Sequence, residues 1–118
     1  MGTDRHEYNI LIVEDNPGDF ALVEDFLFEQ IESPGITRAL DFEMAKGLLE
    51  KEDFDIILLD LSLSDKTNEP LIREIVPLSK GTPIIVLTGY ADISFGLKSL
   101  SLGVSDYIPK DDLTSMSL

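Results

Sequence analysis

The sequence predicts an α/β domain: one parallel sheet of five strands with helices on both faces. Two observations carry this. Short, unbroken apolar runs recur in Asn9-Ile10-Leu11-Ile12-Val13, Ile56-Ile57-Leu58-Leu59 and Ile84-Ile85-Val86-Leu87, and each reads as a strand buried on both faces. Segments of helical periodicity alternate with them through short connections, giving βαβαβαβαβ, the pattern of parallel strands joined by crossover helices. No internal repeat, low-complexity tract or linker interrupts the 118 residues, so 1–118 reads as one domain.

The first strand, over about 9–15, runs into Glu14-Asp15-Asn16, and Pro17 suits the first position of a helix capped by Asn16 or a neighbour. Phe20, Val23, Leu27 and Ile31 recur at helical spacing, and Ser33-Pro34-Gly35 stops that helix. Ile36 to Phe42 is a weaker strand, interrupted by Arg38 and Asp41 and therefore predicted at a sheet edge. Asp41 can cap the next helix, whose apolar face is Ala45, Leu48 and Leu49. The central strand, over about 54–60, ends in Asp60. A polar loop from Ser64 to Glu69 leads to a helix begun by Pro70 and carrying Leu71, Ile72 and Ile75. After the Gly81-Thr82-Pro83 turn, a strand ends in Thr88-Gly89; the following helix shows Ile93, Leu97 and Leu100 and is closed by Gly103. The last strand, over about 105–110, contains Pro109, which cannot donate to a ladder and so belongs at an edge. Leu113 to Leu118 start a final helix without completing one of average length, which predicts an apolar strip left open on one sheet face.

Composition narrows the function. The formal net charge is −14. Such a surface repels nucleic-acid phosphates and anionic lipid, arguing against direct nucleic-acid or membrane binding and favouring cations or basic patches on protein partners. Most of these carboxylates need do no more than confer solubility. No run approaches the roughly 20 apolar residues that span a bilayer. The N-terminus has no apolar signal-peptide core, and His6 breaks the myristoylation pattern. The absence of cysteine excludes a disulfide framework and a thiolate metal site. A cytoplasmic location is the expectation that follows.

In a parallel sheet all strand carboxyl ends share one edge, where open α/β sheets bind their ligands. Glu14 and Asp15 end the first strand, Asp60 the third, Thr88 the fourth and Lys110 the fifth. Taken singly, each has a bland reading: a cap, a turn hydroxyl, a surface lysine. Together they bring three acids, a hydroxyl and an amine to one crevice. Clustered carboxylates repel and raise the pKa of at least one member unless a cation intervenes. An open, oxygen-only site suits Mg²⁺, which keeps several waters and accepts one or two carboxylates. A carboxylate beside it can attack a phosphoryl group, with metal and ammonium neutralising the equatorial oxygens.

On these motifs, Glu14-Asp15-Asn16, Leu59-Asp60-Leu61, Leu87-Thr88-Gly89 and Asp106-Tyr107-Ile108-Pro109-Lys110, the chain resembles a receiver domain of two-component response regulators over nearly its whole length. The resemblance implies a flavodoxin-like, CheY-like doubly wound sheet in the order 2-1-3-4-5, with the last helix truncated. It implies a phosphoacceptor signalling domain, with at most self-catalysed phosphotransfer and autodephosphorylation. Asp60 would take the phosphoryl group from a histidine of a sensor kinase or phosphotransfer protein. Asp15, Asp60 and the main-chain carbonyl of Ser62 would hold Mg²⁺, with Glu14 assisting through a coordinated water. Lys110 would pair with the phosphoryl group and, before phosphorylation, with Asp60. Thr88 and Tyr107 would form the switch, Thr88 moving to the phosphate and Tyr107 rotating inward after it. Ser62 and Tyr90 stand where family members flank the path of the attacking water, so Tyr90 is expected to slow autodephosphorylation.

The chain departs from the family pattern at three places. Ser64 stands for the usual proline and Asn68 for the usual glycine, so the loop after Asp60 is expected to differ in shape. Asp111 follows the lysine in place of proline, so the family's cis peptide is not expected there. Rival readings are weaker. A haloacid-dehalogenase phosphatase needs an aspartate where Ser62 stands, and an FMN carrier needs a hydroxyl- and glycine-rich phosphate loop where Glu14-Asp15 stands. A receiver-like adaptor working by protein contacts alone is the remaining alternative. The short last helix suggests a piece of a longer regulator or hybrid kinase and leaves a face through which two chains could form a homodimer.

Overall fold

The computed structural model describes residues 8–89 and 93–116. In chain order the elements are β1 (Tyr8–Val13), α1 (Pro17–Gln30), β2 (Pro34–Ala39), α2 (Phe42–Lys51), β3 (Ile56–Asp60), α3 (Asn68–Ser79), β4 (Ile84–Thr88), α4 (Ile93–Ser101), β5 (Asp106–Pro109) and α5 (Lys110–Met116). The five strands form one parallel sheet in the order β2-β1-β3-β4-β5, the doubly wound arrangement expected. Both edges are those the sequence predicts. The strand interrupted by Arg38 lies at one, and the strand containing Pro109 at the other.

The period-2 alternation of the central strands feeds two cores. Leu11, Val13, Ile57, Leu59 and Val86 face α2 and α3, where they meet Ala45, Leu49, Leu71, Ile72 and Ile75. Ile10, Ile12, Leu58 and Leu87 face the other way, against Val23 and Leu27 of α1 and Leu113 of α5. Burying both faces fixes the register, because a slip of one residue would exchange the two sets. Leu113 seals only part of its face. Among the described residues, a hollow of 510 Å³ lies towards the amino ends of β1 and β3, lined by Tyr8, Ile10, Ile31 and Ile56 among others.

Several boundaries differ from the sequence reading, each for a polar reason. β1 stops at Val13 rather than near residue 15, because the Glu14 and Asp15 carbonyls accept from the Arg38 guanidinium, at 3.1 and 3.3 Å. β3 starts at Ile56 rather than 54, because the Phe54 carbonyl accepts from the Thr82 hydroxyl at 3.3 Å while its ring is buried. β5 ends at Pro109 because Lys110 already starts α5. The second strand lies over Pro34–Ala39 rather than 36–42. Pro34-Gly35, expected to stop α1, pair instead with Tyr8 and Asn9, a position open to proline at the start of an edge strand. α1 has already ended at Gln30, with Ile31 extended. α3 begins at Asn68 rather than Pro70, and Pro77 lies in its last turns, close to where Lys80 ends it at φ +55°.

The loop after Asp60 is held by two devices. Asn68 has φ +52°, the left-handed region glycine favours and asparagine tolerates best among side-chain residues, so it does the backbone work of the usual glycine. Asp65 reaches across to α2, its two carboxylate oxygens accepting from the Phe42 and Glu43 amides at 3.0 and 3.1 Å. Asp41 caps the same helix through the Met44 amide. Slight burial works to raise the Asp65 pKa, but the two amide donors prevail and hold it below the usual carboxylate value. Asp65→Ala is expected to lower stability by about 0.5–1 kcal/mol, the low end for a lost cap because the group is exposed. Urea titration at pH 7 checks this, and an unchanged midpoint would count against the tether.

Candidate functional site

The carboxyl ends of β3, β4 and β5 and the first turn of α1 converge on a cleft of 230 Å³ lined by Asp19, Asp60, Ser62, Asn68, Thr88 and Lys110, among others. Asp60 is the last residue of β3 and only 5% exposed. Its carboxylate lies 3.2 Å from Lys110 Nζ and 3.4 Å from the Ser62 hydroxyl. Glu14, fully buried behind the lysine, turns Oε1 to Lys110 Nζ at 3.0 Å and accepts from the Asn16 amide at Oε2, 3.2 Å away. Burial and the neighbouring Asp60 charge push the Glu14 carboxyl up to about 7, against the partial relief from Lys110. Asp15, half-buried, completes an acidic triad: Glu14, Asp15 and Asp60 offer oxygens that all lie within 4.8 Å of one another. That donor set, oxygen-only and partly open, fits a hard divalent cation.

Lys110 is gripped more tightly than expected. Besides Glu14 and Asp60 it donates to Asp19 Oδ2 at 2.7 Å, its shortest contact. Burial alone would lower its pKa. The hydrogen bonds to Asp19 and Glu14 and the charges of Asp60 and Glu14 overcome this and raise it well above the ordinary lysine value. Asp19 is a site residue the sequence reading missed. It lies in the first turn of α1, its amide donating to Asn16 Oδ1 at 2.9 Å, and an acid in a first helical turn is usually explained by the helix dipole alone. Arg38 was missed as well. Its guanidinium stacks 4.6 Å from the Phe20 ring centre while holding the Glu14 and Asp15 carbonyls, so the acidic loop is pinned from the neighbouring strand.

The two switch candidates are neighbours. Thr88, 2% exposed, has no hydrogen-bond partner for its hydroxyl among the described residues. Tyr107 on β5 is half-buried and pairs with Val86, two residues before Thr88. α4 comes close to both because residue 96 is glycine. A Cβ there would lie 2.8 Å from Tyr107 Cδ2 and 3.3 Å from Thr88 Cγ2. Tyr90 lies outside the described residues. No peptide bond is cis among the described residues.

The model of the response regulator receiver domain family matches residues 10–116. Among curated proteins, the chain is 38% identical over 58 residues to the transcriptional regulatory protein CusR of Escherichia coli K12, a match covering 49% of this chain and 26% of CusR. It is 40% identical over 58 residues to the cell cycle response regulator CtrA of Brucella ovis, covering 49% of this chain and 25% of CtrA. The matched stretch therefore spans about a quarter of those relatives. Among solved structures it resembles a two-component response regulator from Clostridium difficile, at 25% identity and TM-score 0.76, covering 94% of this chain and 93% of that one. It also resembles a CheY-like receiver domain protein from Methanospirillum hungatei, at 26% identity and TM-score 0.73, covering 92% and 89%. With the sheet order, the acidic triad and the strand-end lysine already in view, a family match over that span leaves one conclusion: the chain belongs to the response regulator receiver domain family.

Proposed function

We propose that this domain accepts a phosphoryl group on Asp60 from a phosphohistidine of a sensor kinase or histidine phosphotransfer protein, and signals through a Thr88/Tyr107 switch. The observation that carries the reading is the buried Asp60 carboxylate at the floor of an open cleft, within 3.2 Å of an ammonium and inside an acidic triad. An Asp60 oxygen attacks phosphorus; the phosphorus–nitrogen bond breaks, its electron pair stays on the imidazole nitrogen, and that nitrogen takes up a proton. Lys110 offsets charge on the transferring oxygens. Asp15, Asp60 and the Ser62 carbonyl would hold Mg²⁺, with Glu14 assisting through water. When bound, the ion supplies neutralisation of the phosphoryl oxygens.

Two features support the switch. The buried Thr88 hydroxyl lacks a partner among the described residues, a situation that costs about 1–3 kcal/mol and that a phosphoryl oxygen would relieve. Movement of Thr88 would alter the packing around Gly96 and with it the support of the Tyr107 ring. Incubation with acetyl phosphate, with and without Mg²⁺, followed by intact-mass analysis tests the proposal. One phosphoryl group is expected in Mg²⁺ and none in Asp60→Asn. Labelling that persists in Asp60→Asn would overturn the site assignment, and none in the wild-type chain would return the protein-contact adaptor as the better reading.

A further inference from the structure

Before any phosphoryl group arrives, Lys110 is closest to a carboxylate outside the acidic triad. Asp19 Oδ2 accepts from Nζ at 2.7 Å, against 3.0 Å to Glu14 and 3.2 Å to Asp60. Asp19 lies on α1 and Lys110 at the start of α5, 91 positions apart, so the bond joins two sides of the cleft mouth. We infer that Asp19 is a latch: a positioning residue that competes with the reaction for Lys110 and slows phosphoryl acceptance by holding the ammonium aside.

The latch rests on the proposed phosphoacceptor role of Asp60. An in-line transfer needs the ammonium on the equatorial oxygens of the phosphoryl group. The Lys110 ammonium has three N–H donors, and Asp19, Glu14 and Asp60 all crowd it, the shortest, charge-assisted contact pointing at α1. A phosphoryl oxygen must displace one of these acceptors, and the short Asp19 bond draws Nζ towards α1 against that move. Asp19 is held ready for this competition, because its own amide is fixed by the Asn16 side chain. Asp19 is 39% exposed, so the bond is partly screened and its hold is modest.

The test is the rate of labelling by acetyl phosphate at saturating Mg²⁺, followed by intact mass for the wild-type chain, Asp19→Asn, Lys110→Ala and the double variant. Asp19→Asn keeps the size of the side chain and removes the charge that holds the lysine. It is expected to label roughly fivefold faster, the change that follows from a bond worth about 1 kcal/mol. In the Lys110→Ala background the same substitution is expected to leave the rate unaltered, because nothing remains to be released. A wild-type chain that labels at a rate Asp19→Asn does not raise overturns the latch alone. Acceleration that survives in Lys110→Ala also overturns it, since that effect would be general charge repulsion of the phosphodonor. Failure of the wild-type chain to label, or labelling of Asp60→Asn, overturns the phosphoacceptor reading and the latch with it.

Discussion

Lys110→Met is expected to destabilise the metal-free protein by about 3 kcal/mol at pH 8, measured by urea denaturation in EDTA, the order found when one partner of a buried ion pair is removed. Lys110 is the cation between two buried acids, 3.0 Å from Glu14 and 3.2 Å from Asp60. Replacing a whole buried ion pair by apolar groups is often neutral, but here only the cation leaves and the two carboxylates remain facing each other. The methionine stem keeps most of the packing, so the loss reports charge rather than cavity formation. Glu14 also has an escape. Its carboxyl already titrates near 7, and without the ammonium it climbs further, so at pH 5 it is neutral and the penalty shrinks to about 1 kcal/mol. A variant as stable as wild type at both pH values would show that Lys110 is not what holds the site together.

The second large effect is the pH dependence of the metal-free wild-type chain. Glu14 has its carboxyl pushed from 4.5 to about 7, through burial first and the Asp60 charge second. Between those values the folded state binds more protons than the unfolded chain, so stability falls as pH rises. The contribution is fully present below about 4.5 and is lost by the time pH passes about 7. The shift corresponds to about 3 kcal/mol across that window. Comparison with Glu14→Gln isolates it: wild type should lose stability relative to the variant from pH 4.5 to 7.5 in EDTA, and added Mg²⁺ should recover part of the loss. Parallel pH curves for the two proteins would mean that Glu14 is not a strained acid in the fold.

These two effects belong to residues that the sequence exposes directly. Glu14 follows four buried aliphatic residues of β1 and Lys110 follows Pro109, so each is readable as the polar end of a strand. The same local logic found the Asn16 and Asp41 caps, both realised as hydrogen bonds to the third residue on, and Gly103 at φ +115° beyond α4. Strand and cap signals are legible because they depend on neighbours within a few positions. The boundary errors at Val13, Ile56 and Pro34 arose where a backbone group found a partner from another element, as the Glu14 carbonyl found Arg38. No local pattern contains that partner.

The site divides in the same way. Asp15, Asp60, Thr88 and Lys110 could be brought to one edge from sequence alone, because parallel topology forces strand carboxyl ends together. Asp19, Arg38 and Asp65 could not. Each makes its decisive contact 22 or more positions away, to Lys110, to the Glu14 and Asp15 carbonyls, and to the α2 amides. Which loops touch depends on helix tilt and loop course, and these are set by packing rather than by propensity. By itself, then, the sequence determined the strands, their common edge and the chemistry offered there, since hydrophobic period and strand parity are properties of the local chain. Which group holds the lysine is set by long-range packing: α1 lies against α5, and this brings the Asp19 carboxylate closer to Nζ than the buried Asp60 it was expected to serve.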